Sequence, residues 1–122
     1  MDFEELRRRI SRFSPEYRRL IKLDDDCIRE DGFAYLNGER CGELWLNVYK
    51  EMVSTIKWMN DDPRLFSIYE SWEETNDLRE KAMMENIRKY CEENTFDKGV
   101  FLVGAAHRQA IIDISREQSG IQ

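Results

Sequence analysis

Apolar residues recur at steps of three and four along most of the chain, which is the spacing of one face of an α-helix. This pattern predicts helices over residues 3–13, 15–30, 39–60, 64–72, 74–93 and 105–116. Ser14 can cap a helix and Pro15 can occupy its first position, so we expect the second helix to begin there. The residue before Pro63 is pushed out of helical space, so the third helix should end by that point.

One stretch breaks the helical period. Residues 99–104 read Gly-Val-Phe-Leu-Val-Gly, a continuous apolar run between two glycines. Such a run indicates a strand that is buried on both faces, as in parallel sheets. Residues 33–36 could form a second, short strand before a tight turn at Asn37-Gly38. The predicted fold class is therefore α/β and helix-rich, with a partial parallel sheet around a central buried strand near 99–104.

A lone strand leaves its backbone N–H and C=O groups without partners. Two solutions stay open. The strand pairs with another copy of the chain or with the segment near residue 35, or its neighbours belong to an N-terminal half that is missing here. We therefore expect a homo-oligomer or a missing N-terminal half. The chain is taken as one domain, 1–122, with a helical region at 1–72 and a helix–strand–helix unit at 73–117.

Composition narrows the class of protein. The 122 residues are 41% hydrophobic and 36% charged, which is too apolar for a disordered chain and too charged for a membrane protein. No apolar run approaches the roughly 20 residues that span a bilayer, and the start lacks the pattern of a signal peptide, so we expect a cytoplasmic protein. The net charge of −6 argues against general nucleic-acid binding.

Two further features of composition have ordinary interpretations. Residues 1–22 carry a formal charge of +3, which suits an anion or partner site but is better explained as the solvated side of amphipathic helices. The three cysteines are Cys27, Cys41 and Cys91, and no C-x-x-C pattern occurs. An odd number at wide spacing predicts reduced thiols rather than a disulfide framework or a zinc site.

The region from Arg79 to His107 carries the candidate chemistry. From Arg79 to Asn94 a helix rises about 23 Å. The six-residue strand that follows spans about 20 Å in the opposite direction. Because the two lengths nearly match, the start of the helix should return to the end of the strand. Arg79 and the turn Gly104–His107 would then share one edge, where open α/β sheets bind ligands.

The residue types at this edge suit catalysis and ligand binding. His107 is the only histidine, and a neutral imidazole can act as a general base or bind a metal. Arg79 is always charged and can clamp a carboxylate or an oxyanion. Gly104, Ala105 and Ala106 are small enough to let a ligand approach the backbone at the start of the last helix. We therefore take His107 and Arg79 as candidate catalytic residues and the three small residues as candidate ligand contacts.

The same region resembles a known superfamily. Residues 79–87 read R-E-K-A-M-M-E-N-I, and an apolar strand and a G-x-x-H turn at Gly104–His107 follow. This order is similar to the end of the erythromycin-esterase-like, TraB/Tiki-like and ChaN-like superfamily. The resemblance implies an α/β fold with parallel strands and a polar cleft where His107 and Arg79 function. The family also carries a first G-x-x-H and essential glutamates in an N-terminal half, which this chain lacks, so the chain resembles the C-terminal portion.

Members of that superfamily are hydrolases of esterase or metal-dependent protease type, or haem-related and signalling proteins. The first hypothesis is thus a hydrolase-like domain, incomplete or inactive if the missing half is essential, that activates water against an ester or amide in a small-molecule or peptide substrate. A divalent metal at His107 stays open. The alternative is a non-catalytic module for homo-oligomeric interaction or regulation. A third hypothesis, a small acidic helical protein with a structural role, applies if residues 99–104 are helical.

Overall fold

The computed structural model describes residues 2–59 and 62–118, which form two compact units, Met1–Glu73 and Glu74–Gln122. The helices are α1 (Phe3–Phe13), α2 (Pro15–Asp31), α3 (Phe33–Leu36), α4 (Glu39–Met59), α5 (Arg64–Glu93), a 3-10 helix (Ala105–His107) and α6 (Arg108–Gln118). None of the described helices combines the length and apolar character needed to cross a bilayer.

The corner between α1 and α2 forms as the sequence predicts. The Ser14 hydroxyl accepts a hydrogen bond from the Tyr17 N–H at 2.9 Å, and Pro15 opens the helix. The Ser14 backbone N–H donates to the Ile10 carbonyl at the end of α1. The same hydroxyl donates to Glu51 Oε1 on α4 at 2.7 Å. One buried serine therefore ends α1, begins α2 and ties both to α4.

The core of the first unit lies between α1, α2, α4 and the first part of α5. Its buried members are Leu6, Ile10, Tyr17, Leu20, Leu44, Val48, Met52, Ile56, Leu65 and Tyr69. Phe3 stacks on Trp72 with ring centroids 4.4 Å apart. Trp58, by contrast, is 73% exposed.

A smaller cluster lies around α3. Residues 33–36 are helical, so the short strand suggested by the sequence is wrong. Gly32, at φ 52°, ends α2 in a conformation that suits glycine, and the chain then turns directly into α3. Tyr35 is buried beside Cys27 and Cys41, and its hydroxyl donates to Asp24 Oδ1 at 2.6 Å. Burial, together with that hydrogen bond, raises the pKa of Tyr35.

The second unit corrects the predicted fold class. No residue in 74–118 forms a strand, nor does any in 2–59 or 62–73, so the α/β fold with a parallel sheet near 99–104 is wrong and the described chain is all-α. The apolar run is neither helix nor strand. A strand exists only where a second extended segment supplies hydrogen bonds, and the described residues contain none. Composition of the run alone could not reveal that absence.

Helix α5 also differs from the prediction. It is one helix of 30 residues rather than two helices at 64–72 and 74–93. Neither glycine nor proline occurs between Ser71 and Glu74, so nothing in the backbone chemistry stops it. Two of its large apolar side chains in the second unit are open to solvent, since Leu78 is 68% and Tyr90 54% exposed.

Candidate functional site

One buried polar contact lies at the predicted site in the second unit. His107 Nδ1 is 3.0 Å from Glu80 Oε2. The Glu80 side chain is 8% exposed and that of His107 18% exposed. Glu80 is on α5, and His107 is the last residue of the 3-10 helix. Glu80 of α5 therefore lies next to the turn at residues 104–107, although the strand from which that proximity was predicted does not form at residues 99–104.

The contact orients the imidazole. A carboxylate only accepts hydrogen bonds, so with ionised Glu80 the Nδ1–H of His107 donates to Oε2. Nε2 of a neutral ring then carries the lone pair. The same division of roles occurs where a carboxylate orients a histidine general base or a metal-bound histidine. The arrangement can therefore accept a proton at Nε2 or simply hold the 3-10 helix against α5.

Arg79, the expected partner of His107, does not make this contact. Its side chain is exposed, and its neighbour Glu80 is buried instead. Consecutive residues of an α-helix point about 100° apart, so only one of the two can face His107. Sequence reasoning missed Glu80, although it is the second residue of the motif quoted above. The signal that could have found it is the need of a buried imidazole for a carboxylate or carbonyl partner.

The small residues of the turn are placed as follows. Gly104 is exposed and extended, and its carbonyl accepts a hydrogen bond from the His107 N–H at 3.0 Å. Ala105 is half-buried and Ala106 is exposed. They open a 3-10 helix of three residues rather than the α-helix that was expected there.

The apolar run before this turn is unusually exposed. Val100 is 85% and Leu102 93% exposed, whereas Phe101 and Val103 are 44% and 42% exposed. An alternation with a period of two is what an extended backbone produces. Among the described residues, no backbone hydrogen bond outside the helices involves residues 95–103. We call residues 99–104 the apolar segment.

Aromatic side chains hold one side of the apolar segment. Phe101 meets Tyr90 of α5 edge to face at 6.5 Å between ring centroids. Tyr90 also lies 6.0 Å from Phe96. A Cβ on Gly99 would lie 3.1 Å from the Phe96 ring, so glycine allows that ring to lie close to the backbone. The odd-numbered side of the segment is therefore partly covered by its own unit, and the even-numbered side is open.

Two other features of the described residues give little support for a functional site. A groove of about 340 Å³ in the first unit is lined by Glu16, Arg19 and Lys50 among others, but Arg19 is already paired with Glu16 at 2.6 Å. Within residues 2–59 and 62–118, no group of three or more His, Cys, Asp or Glu side chains is arranged to hold a metal ion.

Comparison of the chain with protein-family models, with curated proteins and with solved structures finds no match. The fold and site therefore define the protein only as an all-α chain, in the part described, with an oriented imidazole and an open apolar segment. The resemblance to the erythromycin-esterase-like and TraB-like superfamily stays a prediction from the motif.

Proposed function

We propose that the chain is a non-catalytic interaction module that self-associates through the apolar segment. The observation that carries the proposal is the exposure of Val100 and Leu102, two neighbouring aliphatic side chains on one side of an extended backbone. Covering these side chains with a partner contributes about 25 cal/mol for each Å² of apolar surface removed from water.

A second copy suits this segment for two reasons. Its four central residues are all uncharged, so pairing two copies sets no like charges opposite each other. Each copy also covers part of one side of its own segment, because Tyr90 packs against Phe101 and against Phe96. An isolated pair of strands is at best marginally stable in water. Aromatic side chains that pack against one face of the pair bury apolar surface and so increase its stability. The contact is smaller than the roughly 800 Å² per partner of a standard interface, so association should be weak and reversible.

The test is the mass of the chain in solution, measured by light scattering over a range of concentrations. We expect the wild-type mass to rise from the 14.7 kDa of a monomer toward twice that value. Leu102→Gln should weaken association at least about tenfold, because burying a leucine contributes about 1.5–3 kcal/mol. Leu78→Gln is the matched control, since Leu78 is also an exposed leucine of the second unit and lies outside the segment.

Two results would reject self-association through the segment. One is a wild-type mass that stays at the monomer value up to the highest concentration that remains clear. The other is an equal effect of the two glutamine variants, which would mean that general surface hydrophobicity drives association. Glutamine is used because it leaves the net charge of the chain unchanged.

A second candidate, a hydrolase-like site, is favoured by the contact between Glu80 and His107. If Nε2 of His107 activates water, the wild-type chain should turn over members of a panel of ester and peptide substrates. His107→Ala should then lose about 10²–10⁴-fold of the rate, as expected for removal of a general base. Arg79→Ala should weaken binding of anionic substrates. No turnover by the wild-type chain, or unchanged turnover by His107→Ala, would reject this candidate.

A further inference from the structure

The two sides of the apolar segment restrict how two copies can pair, provided that the proposed self-association holds. A closed dimer with a two-fold axis requires antiparallel strands, because parallel strands would join unlike edges and leave free edges at both sides. Residues directly opposite each other in an antiparallel pair point to the same face. Val100 and Leu102 are on the open side, and Phe101 and Val103, at 44% and 42% exposure, are on the partly covered side. An even-numbered residue must therefore lie opposite an even-numbered one.

Two registers satisfy this condition with good overlap. In one, the two-fold axis passes beside Phe101, and Val100 lies opposite Leu102. In the other, the axis passes beside Leu102, and Val100 lies opposite Gly104. The register that would overlap best, centred between Phe101 and Leu102, is excluded because it sets an open-side residue opposite a covered-side one.

The turn after the segment distinguishes the two registers. The Gly104 carbonyl already accepts the hydrogen bond from the His107 N–H, and the chain leaves the extended path at Ala105. Gly104 is therefore a poor end for a ladder. Gly99, at the other end, has no backbone hydrogen bond to another described residue. The register centred on Phe101 uses residues 99–103 and avoids the turn.

We propose that two copies of the chain pair antiparallel through residues 99–103, with the two-fold axis beside Phe101. Val100 of each copy then lies opposite Leu102 of the other, and the two Phe101 rings lie next to each other on the covered side. Aromatic and aliphatic pairs of this kind are among those that stabilise antiparallel strands. The interface carries no charged side chain between Gly99 and Val103.

Disulfide trapping tests the register. Directly opposite Cα atoms lie about 4.5–5.5 Å apart, within reach of a disulfide. Residues offset by two positions lie roughly 8 Å apart, beyond that reach. The variants are Val100→Cys and Leu102→Cys, each in the background Cys91→Ser, because Cys91 is the exposed native thiol. Each variant is oxidised alone and as an equal mixture, and covalent dimers are measured on a non-reducing gel.

We expect efficient crosslinking only in the mixture. Efficient crosslinking of Leu102→Cys alone would support the other register, and efficient crosslinking of both single variants would indicate parallel strands. Either result overturns the proposal while self-association stands. A wild-type chain that is monomeric by light scattering rejects the proposed function itself.

A measurement on the wild-type chain covers the case in which a cysteine variant fails to associate. A mixture of ¹³C-labelled and unlabelled protein gives nuclear Overhauser effects between copies only. The proposed register predicts such an effect between the methyl groups of Val100 and Leu102. If wild-type dimers form and this effect is absent, the register is wrong.

Discussion

The packing of the first unit makes a quantitative prediction at Leu65. This side chain is fully buried in the core cluster at the start of α5. Leu65→Ala removes three carbon atoms, each contributing about 0.8 kcal/mol when buried, or about 2.4 kcal/mol together. Incomplete collapse of the cavity adds to this, so the free energy of unfolding should fall by about 2.5–5 kcal/mol. Leu46→Ala is the control, because Leu46 is 56% exposed in the same unit and should cost about 1 kcal/mol or less.

The assay is urea unfolding followed by tryptophan fluorescence. All three tryptophans, Trp45, Trp58 and Trp72, lie in the first unit, so the signal reports the unfolding of that unit. The midpoint should shift at Leu65 with an unchanged slope, since the surface exposed on unfolding stays nearly the same. A loss at Leu65 below about 1.5 kcal/mol, or no larger than the loss at Leu46, would mean that Leu65 is not packed as the structure has it.

Three further outcomes are expected. Ser14→Ala should lower the free energy of unfolding by about 1–3 kcal/mol in the same urea assay, because it removes the cap of α2 and the hydrogen bond to Glu51. Raising NaCl from about 0.1 M to about 1 M shortens the Debye length from about 10 Å to about 3 Å, so self-association of a chain of net charge −6 should strengthen in light scattering. Hydrogen bonds from Arg64 hold the pKa of Asp62 at about 2, below its ordinary 3.8. The contribution of ionised Asp62 to the free energy of unfolding is therefore present above pH 3.8 and is lost as the pH falls toward about 2. Asp62→Asn should reduce this loss of stability when acid unfolding is followed by circular dichroism.

Local chemistry allowed the sequence to predict the helices of the first unit. Ser14 and Pro15 act within a few residues of themselves, so the start of α2 follows from the sequence alone. The failure at residues 33–36 has a different origin. A four-residue apolar stretch fits a strand or a helix equally well, and the choice depends on what lies beside it. Here Tyr35 packs with Cys27 of α2 and Cys41 of α4, two residues that lie outside the four-residue stretch itself.

The sequence also predicted one part of the candidate site and missed another. The sequence comparison placed the helix near His107, and Glu80 does contact His107, but the strand used in that comparison does not form at residues 99–104. Which residue of the helix makes the contact depends on rotation about the helix axis, and a single position changes it by about 100°. The sequence therefore pointed to Arg79, whereas the buried partner is Glu80. Whether a neighbouring strand exists could not be inferred, because that depends on residues outside the run.

Two contacts with α5 restrain the apolar segment while leaving its side chains at Val100 and Leu102 exposed. The ring of Phe101 is held by Tyr90 on α5, and three residues beyond the segment His107 is held by Glu80 on the same helix. A segment tied in the middle and beyond its end has lost much of its backbone freedom before any partner arrives. Ordering a free chain would cost about 1–2 kcal/mol per residue. Because these contacts meet part of that cost within the chain, a small contact at Val100 and Leu102 can be enough to join two copies. Removing the contact between Glu80 and His107 should then weaken association without changing a residue of the interface.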